Sequence, residues 1–414
     1  MYSQVFSPSS LIALLHPQEV KAILHNLDGK KQFELKLAEK CKKIKEDCSF
    51  DFNIAYKNSY FTNGHPLLST DYIIQELVLR KIHYNIKEVY KIKQANRNRI
   101  IRQISVLMED TYPSYIVRLD IRSFYESIDR IALLNKLKDD VRLTYPTISL
   151  LESLFNNTII KDHSGLPRGL SISAVLSEHF LKYFDLNIQK EDGVYYYARY
   201  VDDMVIFCKS KPIQSKIPAT ISDLLSNLNL ELNNQKTQLL EDNNISNQNP
   251  LNYLGYAMYT EKATKKSIEE KDKRNIIQIA ITEQKIKKIK TRLVRSFVCY
   301  TKNKDFELLK HRIQYLTGNF QFTKQHLSMI IKSGIFYNYQ MLSNDGEKQL
   351  HKLDIFYQHL LHCKKGKLGN LISAYLKKEQ IHYLEKYSFA FGFQKRIIHK
   401  FSKDEINEIK KIWQ

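Results

Sequence analysis

The stretch YYYARYVDDMVIFCKS, residues 195–210, constrains this chain more than any other. Asp202 and Asp203 stand side by side between runs of aromatic and branched apolar residues. Strand-forming sequence is depleted in aspartate, so a pair of carboxylates here needs a reason. Val194–Cys208 reads as a strand–turn–strand hairpin with both acids at its tip. An ordinary polar turn is one explanation. The other is that the tip holds metal.

Hard divalent cations take oxygen ligands and keep waters and substrate phosphates in their shell. A pair of them about 4 Å apart activates an attacking hydroxyl and stabilises a leaving pyrophosphate. That chemistry needs two or three carboxylates on rigid, adjacent strands. VRLDIRSFYESIDR (117–130) offers Asp120 near the end of another predicted strand, SYIVRLDI (114–121). If that strand packs beside the hairpin, Asp120, Asp202 and Asp203 form one set.

The surrounding elements are read from periodicity. Residues 8–50, 69–86 and 96–110 have helical apolar spacing, and a helix is expected from about Arg122. Residues 171–190 read as one helix, 221–240 as helix, turn and strand, and 251–259 as a strand. Beyond Glu261 the β signal ends and basic helices dominate, as in ITEQKIKKIKTRLVRSFVCY (281–300). The order implies an α+β centre followed by a helical end. Three regions are expected: residues 1–113, N-terminal helices; 114–260, the mixed centre; and 261–414, a basic helical domain.

Charge follows the same division. The net charge is +20, and residues 261–414 hold 32 Lys and Arg against 15 Asp and Glu, or +17. The first 260 residues contribute only the remaining +3. A polyanion such as nucleic acid is the natural partner of the basic part, and a Lys-rich solubilising surface is the plainer alternative. The five cysteines include no C-x-x-C pair, which argues against a zinc site or a disulfide framework. No apolar run approaches the length of a membrane span. The opening MYSQVFSPSSLIALLHPQ lacks a basic leader, so a cytoplasmic protein with no membrane partner is expected.

Five motifs in order resemble those of reverse transcriptases. YVDD (200–203) resembles the Tyr-x-Asp-Asp signature and LDIRSFYESI (119–128) the first catalytic motif. GLPRGLSISAVLSEHF (165–180) is similar to the second palm motif, Leu-Pro-x-Gly followed by a small-residue helix. NNQKT (233–237) resembles the fourth motif and LNYLGY (251–256) the primer grip. The resemblance implies a right-hand polymerase. Its fingers would begin in residues 1–113, its antiparallel palm would lie in 114–260 with finger elements interleaved, and an α-helical thumb or C-terminal domain would follow.

The resemblance also implies roles. Asp120, Asp202 and Asp203 would be catalytic, and with Ile121 they would make up the site for two Mg²⁺ ions, Mn²⁺ being the alternative ion. Tyr125 matches the aromatic that stacks under the sugar and excludes a 2′-hydroxyl, so dNTPs would be preferred. Arg168 and Gly169 would lie at the dNTP, with Gly169 admitting the nucleotide and template to the backbone. Lys236 would contact pyrophosphate or donate a proton. Tyr253, Leu254 and Gly255 would line the primer. Of the basic residues in YKIKQANRNRIIRQ (90–103), Lys93, Arg99 and Arg102 are favoured for the triphosphate.

One departure stands out. The second palm motif usually has Gln before its glycine, and this chain has Arg168. With FYESI and NRNRIIRQ, that motif resembles prokaryotic reverse transcriptases of abortive infection and antiphage defence. The implied activity is RNA-directed DNA synthesis with a non-coding RNA as template or scaffold and DNA as product. Four other readings stay open: a retron enzyme, a group II intron enzyme, a template-independent or protein-primed polymerase, and a nucleic-acid-binding protein with an inactive palm. A homo-oligomer and a partner subunit are both compatible with the sequence.

Overall fold

In a computed structural model, the residues described are 3–24, 27–62, 65–69, 73–110, 112, 114–241, 244–261, 275–324 and 329–413. The chain divides into two compact units. The first comprises Met1–Asn96, Tyr115–Leu239 and Gln325–Met329; the second comprises Arg97–Ser114, Leu240–Lys324 and Ile330–Gln414. Its architecture is α+β, with antiparallel sheets and a C-terminal part built largely of helices.

The first unit is organised by a four-stranded sheet. In chain order, its strands are β3 (Tyr115–Asp120), β4 (Val194–Tyr200), β5 (Asp203–Cys208) and β6 (Gln238–Glu241), of which Gln238 and Leu239 fall in the first unit. The spatial order is β4-β5-β3-β6. β3 and β5 are antiparallel, and their register sets Asp120 opposite Asp203. β5 is buried from Met204 to Cys208, because helices cover it as they do β3. The helix Lys211–Ser226 packs on β3, where the buried Gln214 amide donates to the Ile116 carbonyl at 2.9 Å. The helices Ile73–Val89 and Ser171–Phe180 pack on each other within the same core. The same core takes in N-terminal helices such as Leu27–Asp47 and later helices such as Tyr145–Phe155. A small hairpin, β1 (Ala55–Thr62) with β2 (His65–Ser69), completes the unit's strands.

The second unit contains the helix Arg97–Glu109 and a three-stranded sheet. That sheet is β7 (Leu251–Tyr253), β8 (Tyr256–Glu261) and β9 (Ile276–Ile281). Its helices, among them Glu283–Asn303 and Asn344–His362, enclose Leu293, Phe297, Leu309, Tyr357 and Phe389. A second small sheet has the order β11-β10-β12, from Met329–Gly334, Asn319–Lys324 and Ile398–Lys400.

Four expectations are corrected. Residues 251–259 form a hairpin, because Leu254 and Gly255 take left-handed φ values of +48° and +83° and reverse the chain. Residues 171–190 form two helices, broken at Leu181 where ψ rises to 1°. The helix expected from 221 begins ten residues earlier, at Lys211, and carries Pro218 inside it. Strands also continue beyond Glu261, since β9 extends the β7–β8 hairpin through a branched run, IIQIAI, whose second half is buried. No helix among the described residues is long and apolar enough to cross a membrane.

Candidate active site

The hairpin tip is built by a two-residue connection. Tyr200 pairs with Asp203, so Val201 and Asp202 form the turn. Val201 has φ +61°, a left-handed conformation that a β-branched side chain rarely adopts. The chain is held there by the buried Arg199, whose Nη1 donates to the Val201 carbonyl at 2.8 Å. Arg199 is itself gripped by Asp185 and Glu178 at 2.7 and 2.8 Å.

β3 brings Asp120 to the same place. The Ile121 amide donates to the Asp202 carbonyl at 3.0 Å, which ties the end of β3 to the tip. On the other side, Ile121 bridges Leu232, and the Asn233 amide donates to the Asp120 carbonyl at 2.7 Å. The segment 231–236 is thereby laid along the end of β3. A 3₁₀ turn, Asn234–Lys236, follows, and Lys236 Nζ reaches both Asp120 carboxylate oxygens at 2.8 Å. Asn233 Nδ2 adds a donation to Oδ1 at 3.2 Å.

Three carboxylates thus share one end of the sheet, and their electrostatics differ. Burial pushes the Asp202 carboxyl up to about 6, and the charges of Asp120 and Asp203 push it the same way. Burial also raises Asp203, but Arg118 opposes this with a two-point contact at 3.1 and 3.3 Å. Arg118 lies two residues before Asp120 on β3, on the same face.

Crowded, partly desolvated carboxylates lack positive charge. Lys236 supplies it for Asp120 and Arg118 for Asp203, while Asp202 has no such cation beside it among the described residues and is raised by burial and its two neighbours. A divalent ion fits this donor set. Mg²⁺ in particular takes one or two carboxylates plus water and substrate phosphate in place of an all-protein cage. Among the described residues no group of three His, Cys, Asp or Glu is placed to hold a metal ion, so an ion here would rely on fewer protein ligands.

Tyr125 lies on the short helix Phe124–Ser127 just after β3, its ring half-buried. Arg168 stacks over that ring at 5.2 Å and is bonded to Glu126. Gly169 follows with φ +96°. The first unit therefore gathers Asp120, Ile121, Tyr125, Arg168, Gly169, Asp202, Asp203 and Lys236. Lys93 is an exposed residue of the same unit, beyond the helix Ile73–Val89.

The remaining candidates belong to the second unit. Arg99 and Arg102 are exposed on the helix Arg97–Glu109. Tyr253 is fully buried, so the Leu254–Gly255 turn is what the β7–β8 hairpin presents. Arg97, passed over in the sequence, donates through Nε to the Leu254 carbonyl at 3.1 Å and stacks on Tyr256 at 4.7 Å. A Cβ on Gly255 would lie 3.5 Å from Arg97 and 3.7 Å from Lys285. Burial lowers the Lys285 ammonium, and its cationic neighbours Lys288, Arg292 and Arg97 lower it further. This turn has a basic rim.

An antiparallel sheet that presents paired carboxylates at adjacent strand ends, under helices, defines a polymerase palm. Residues 65–258 match the family of the reverse transcriptase (RNA-dependent DNA polymerase). Over those residues the chain carries a reverse transcriptase domain. Among solved structures it is similar to apo telomerase from Candida tropicalis truncated from the C-terminal domain. The identity is 15% and the TM-score 0.33, over 44% of this chain and 42% of that one. The chain thus spans less than half of that telomerase chain. No curated protein matches it.

Proposed function

We propose that this chain is a DNA polymerase of antiphage defence that copies, or is scaffolded by, a non-coding RNA. The observation that carries the polymerase part is the convergence of Asp120, Asp202 and Asp203 on paired strand ends, with Lys236 against Asp120. The defence part rests on motif character: Arg168 in the second palm motif, with FYESI and NRNRIIRQ. The strongly basic C-terminal third supplies the charge that a structured RNA would neutralise. The reading places the enzyme in the cytoplasm.

In this reading Asp120, Asp202 and the Ile121 backbone hold divalent ions, with Mg²⁺ the ion of choice and Asp203 beside them. Such ions, when bound, lower the cost of negative charge on the attacking and leaving oxygens. The chain's own groups do the rest. Arg118 keeps Asp203 in place. Tyr125 lies under the incoming sugar. Lys236, half exposed, gives a proton or positive charge to the departing pyrophosphate.

Lys236→Met is expected to slow single-nucleotide incorporation about 10²-fold, mainly in kcat. Lys236→Arg separates the two roles, because a guanidinium keeps the charge but does not give up its proton. An Arg variant as slow as Met assigns proton donation, and one near the parent rate assigns phosphate contact. A parent rate in the Met variant would remove Lys236 from the reaction.

The function itself is tested with protein expressed from its native flanking DNA, so that any bound RNA co-purifies. Mg²⁺ and labelled dNTPs are added without template, and the product is sequenced. An RNase-sensitive product is expected, and its sequence identifies the template. A product that survives prior RNase treatment would replace RNA templating with untemplated or protein-guided synthesis. Loss of phage resistance in cells carrying Asp202→Asn tests the defence role, and undiminished resistance would refute it.

A further inference from the structure

We propose that Arg168 is a positioning residue for sugar selection, bound to Glu126 and seated on the Tyr125 ring instead of reaching for phosphate or template. The inference rests on the reading of Tyr125 as the residue beneath the incoming sugar.

The loop that carries Arg168 is joined to the segment that carries Tyr125. The Leu166 amide donates to the Tyr125 carbonyl at 2.7 Å. Gly165, at φ +70°, packs so closely that a Cβ would fall 2.1 Å from that carbonyl oxygen. Only glycine allows this approach. Ser173 Oγ fixes the other side of the loop by donating to the Pro167 carbonyl at 2.6 Å. Arg168 thus leaves a backbone whose place is set relative to Tyr125.

Its guanidinium is then fully directed. Nε and Nη2 both donate to the Glu126 carboxylate, the second at 3.0 Å, with side chains 19% and 14% exposed. A two-point Arg–carboxylate contact holds both planes in a fixed geometry. The cation lies 5.2 Å from the centre of the Tyr125 ring. The ring is therefore held over its face.

Glu126 follows Tyr125 in sequence, so the pair orients the very helix turn on which the ring is mounted. A ring that excludes a 2′-hydroxyl must hold its position within a fraction of an ångström, because a small displacement admits one more oxygen. Fixing it from Arg168 gives this residue a role in choosing the sugar without touching the nucleotide. The ordinary Gln at this position would lack both the second donor nitrogen and the charge that Glu126 meets.

The test is the ratio of kcat/KM for a dNTP to that for the matching rNTP, which does not depend on the fraction of folded enzyme. It is measured on the full chain with a primed RNA template for the parent, Tyr125→Ala, Arg168→Gln, Glu126→Gln and the Glu126→Gln/Arg168→Gln double variant. Tyr125→Ala should collapse the ratio. Arg168→Gln should lower it about 10-fold, the scale of one lost cation–aromatic contact. Glu126→Gln should act in the same direction, and the double variant should be no worse than Arg168→Gln, because the two residues act as one unit. If Tyr125→Ala collapses the ratio while Arg168→Gln lowers both kcat/KM values equally, Arg168 contacts the nucleotide or template and the inference is wrong. If Tyr125→Ala leaves the ratio intact, the reading of Tyr125 falls, and this inference falls with it.

Discussion

Asp202→Asn is expected to abolish nucleotide incorporation while making the ion-free protein more stable. The loss of rate should be on the order of 10³-fold or more, as when a group needed for transition-state charge is removed. The gain in stability follows from burial. In the folded protein the Asp202 carboxyl is raised from 3.8 to about 6 by desolvation and by the charges of Asp120 and Asp203. The folded state then holds this proton more tightly than the unfolded chain does. The resulting stabilisation is present below pH 3.8 and is lost as pH rises through about 6. At neutral pH the ionised carboxylate costs at most about 3 kcal/mol.

An amide has the shape of the protonated acid and avoids that cost. In EDTA at pH 7, the variant should therefore unfold at higher denaturant concentration than the parent, and the difference should shrink toward pH 4. Added Mg²⁺ should stabilise the parent more than the variant, since binding to the folded state alone raises stability. Retained polymerisation in the variant would overturn the catalytic assignment. A variant less stable than the parent in EDTA would overturn the electrostatic account of the tip.

The legible part of this site was the part fixed by short-range pattern. Alternation around YVDD placed both acids at a hairpin tip, and the branched run before Asp120 placed it at a strand end. Arg118 was within reach of the same reasoning, since period two puts it on the face of Asp120. Its partner Asp203, however, is 85 residues away. The grip of Asn233 and Lys236 on Asp120 spans more than 110 residues and depends on the 231–236 segment returning along β3. Periodicity carries no record of that return. The bond between Arg168 and Glu126 is hidden for the same reason.

Backbone conformation misled in another way. A leucine at left-handed φ is unfavourable in isolation, so LNYLGY read as one strand. In the fold, the Arg97 contacts to the Leu254 carbonyl and the paired strands β7 and β8 outweigh that preference. β9 was obscured by the charge of the sequence around it, although its own six residues are a buried-edge strand pattern.

Arg199→Met should cost about 3–5 kcal/mol of stability, because it leaves two carboxylates without their cation in a buried place. Arg199 is 7% exposed and pairs with Asp185 at 2.7 and 2.8 Å and with Glu178 at 2.8 and 3.3 Å. The Tyr197 hydroxyl adds a 2.6 Å donation to Asp185. Burial by itself would lower the guanidinium's proton affinity, but Asp185 and Glu178 more than reverse this and keep it charged. The same residue holds the Val201 carbonyl, and so the left-handed turn that carries Asp202. Two losses are therefore superposed, and a further variant separates them. In Asp185→Asn/Glu178→Gln/Arg199→Met the stranded charges are gone, and most of the lost stability should return in denaturant unfolding. The donor to Val201 is still missing, so kcat per folded molecule should stay below that of the parent. If the triple variant recovers both stability and kcat, Arg199 serves only to neutralise its two acids, and the hairpin tip keeps its conformation from the β4–β5 pairing alone.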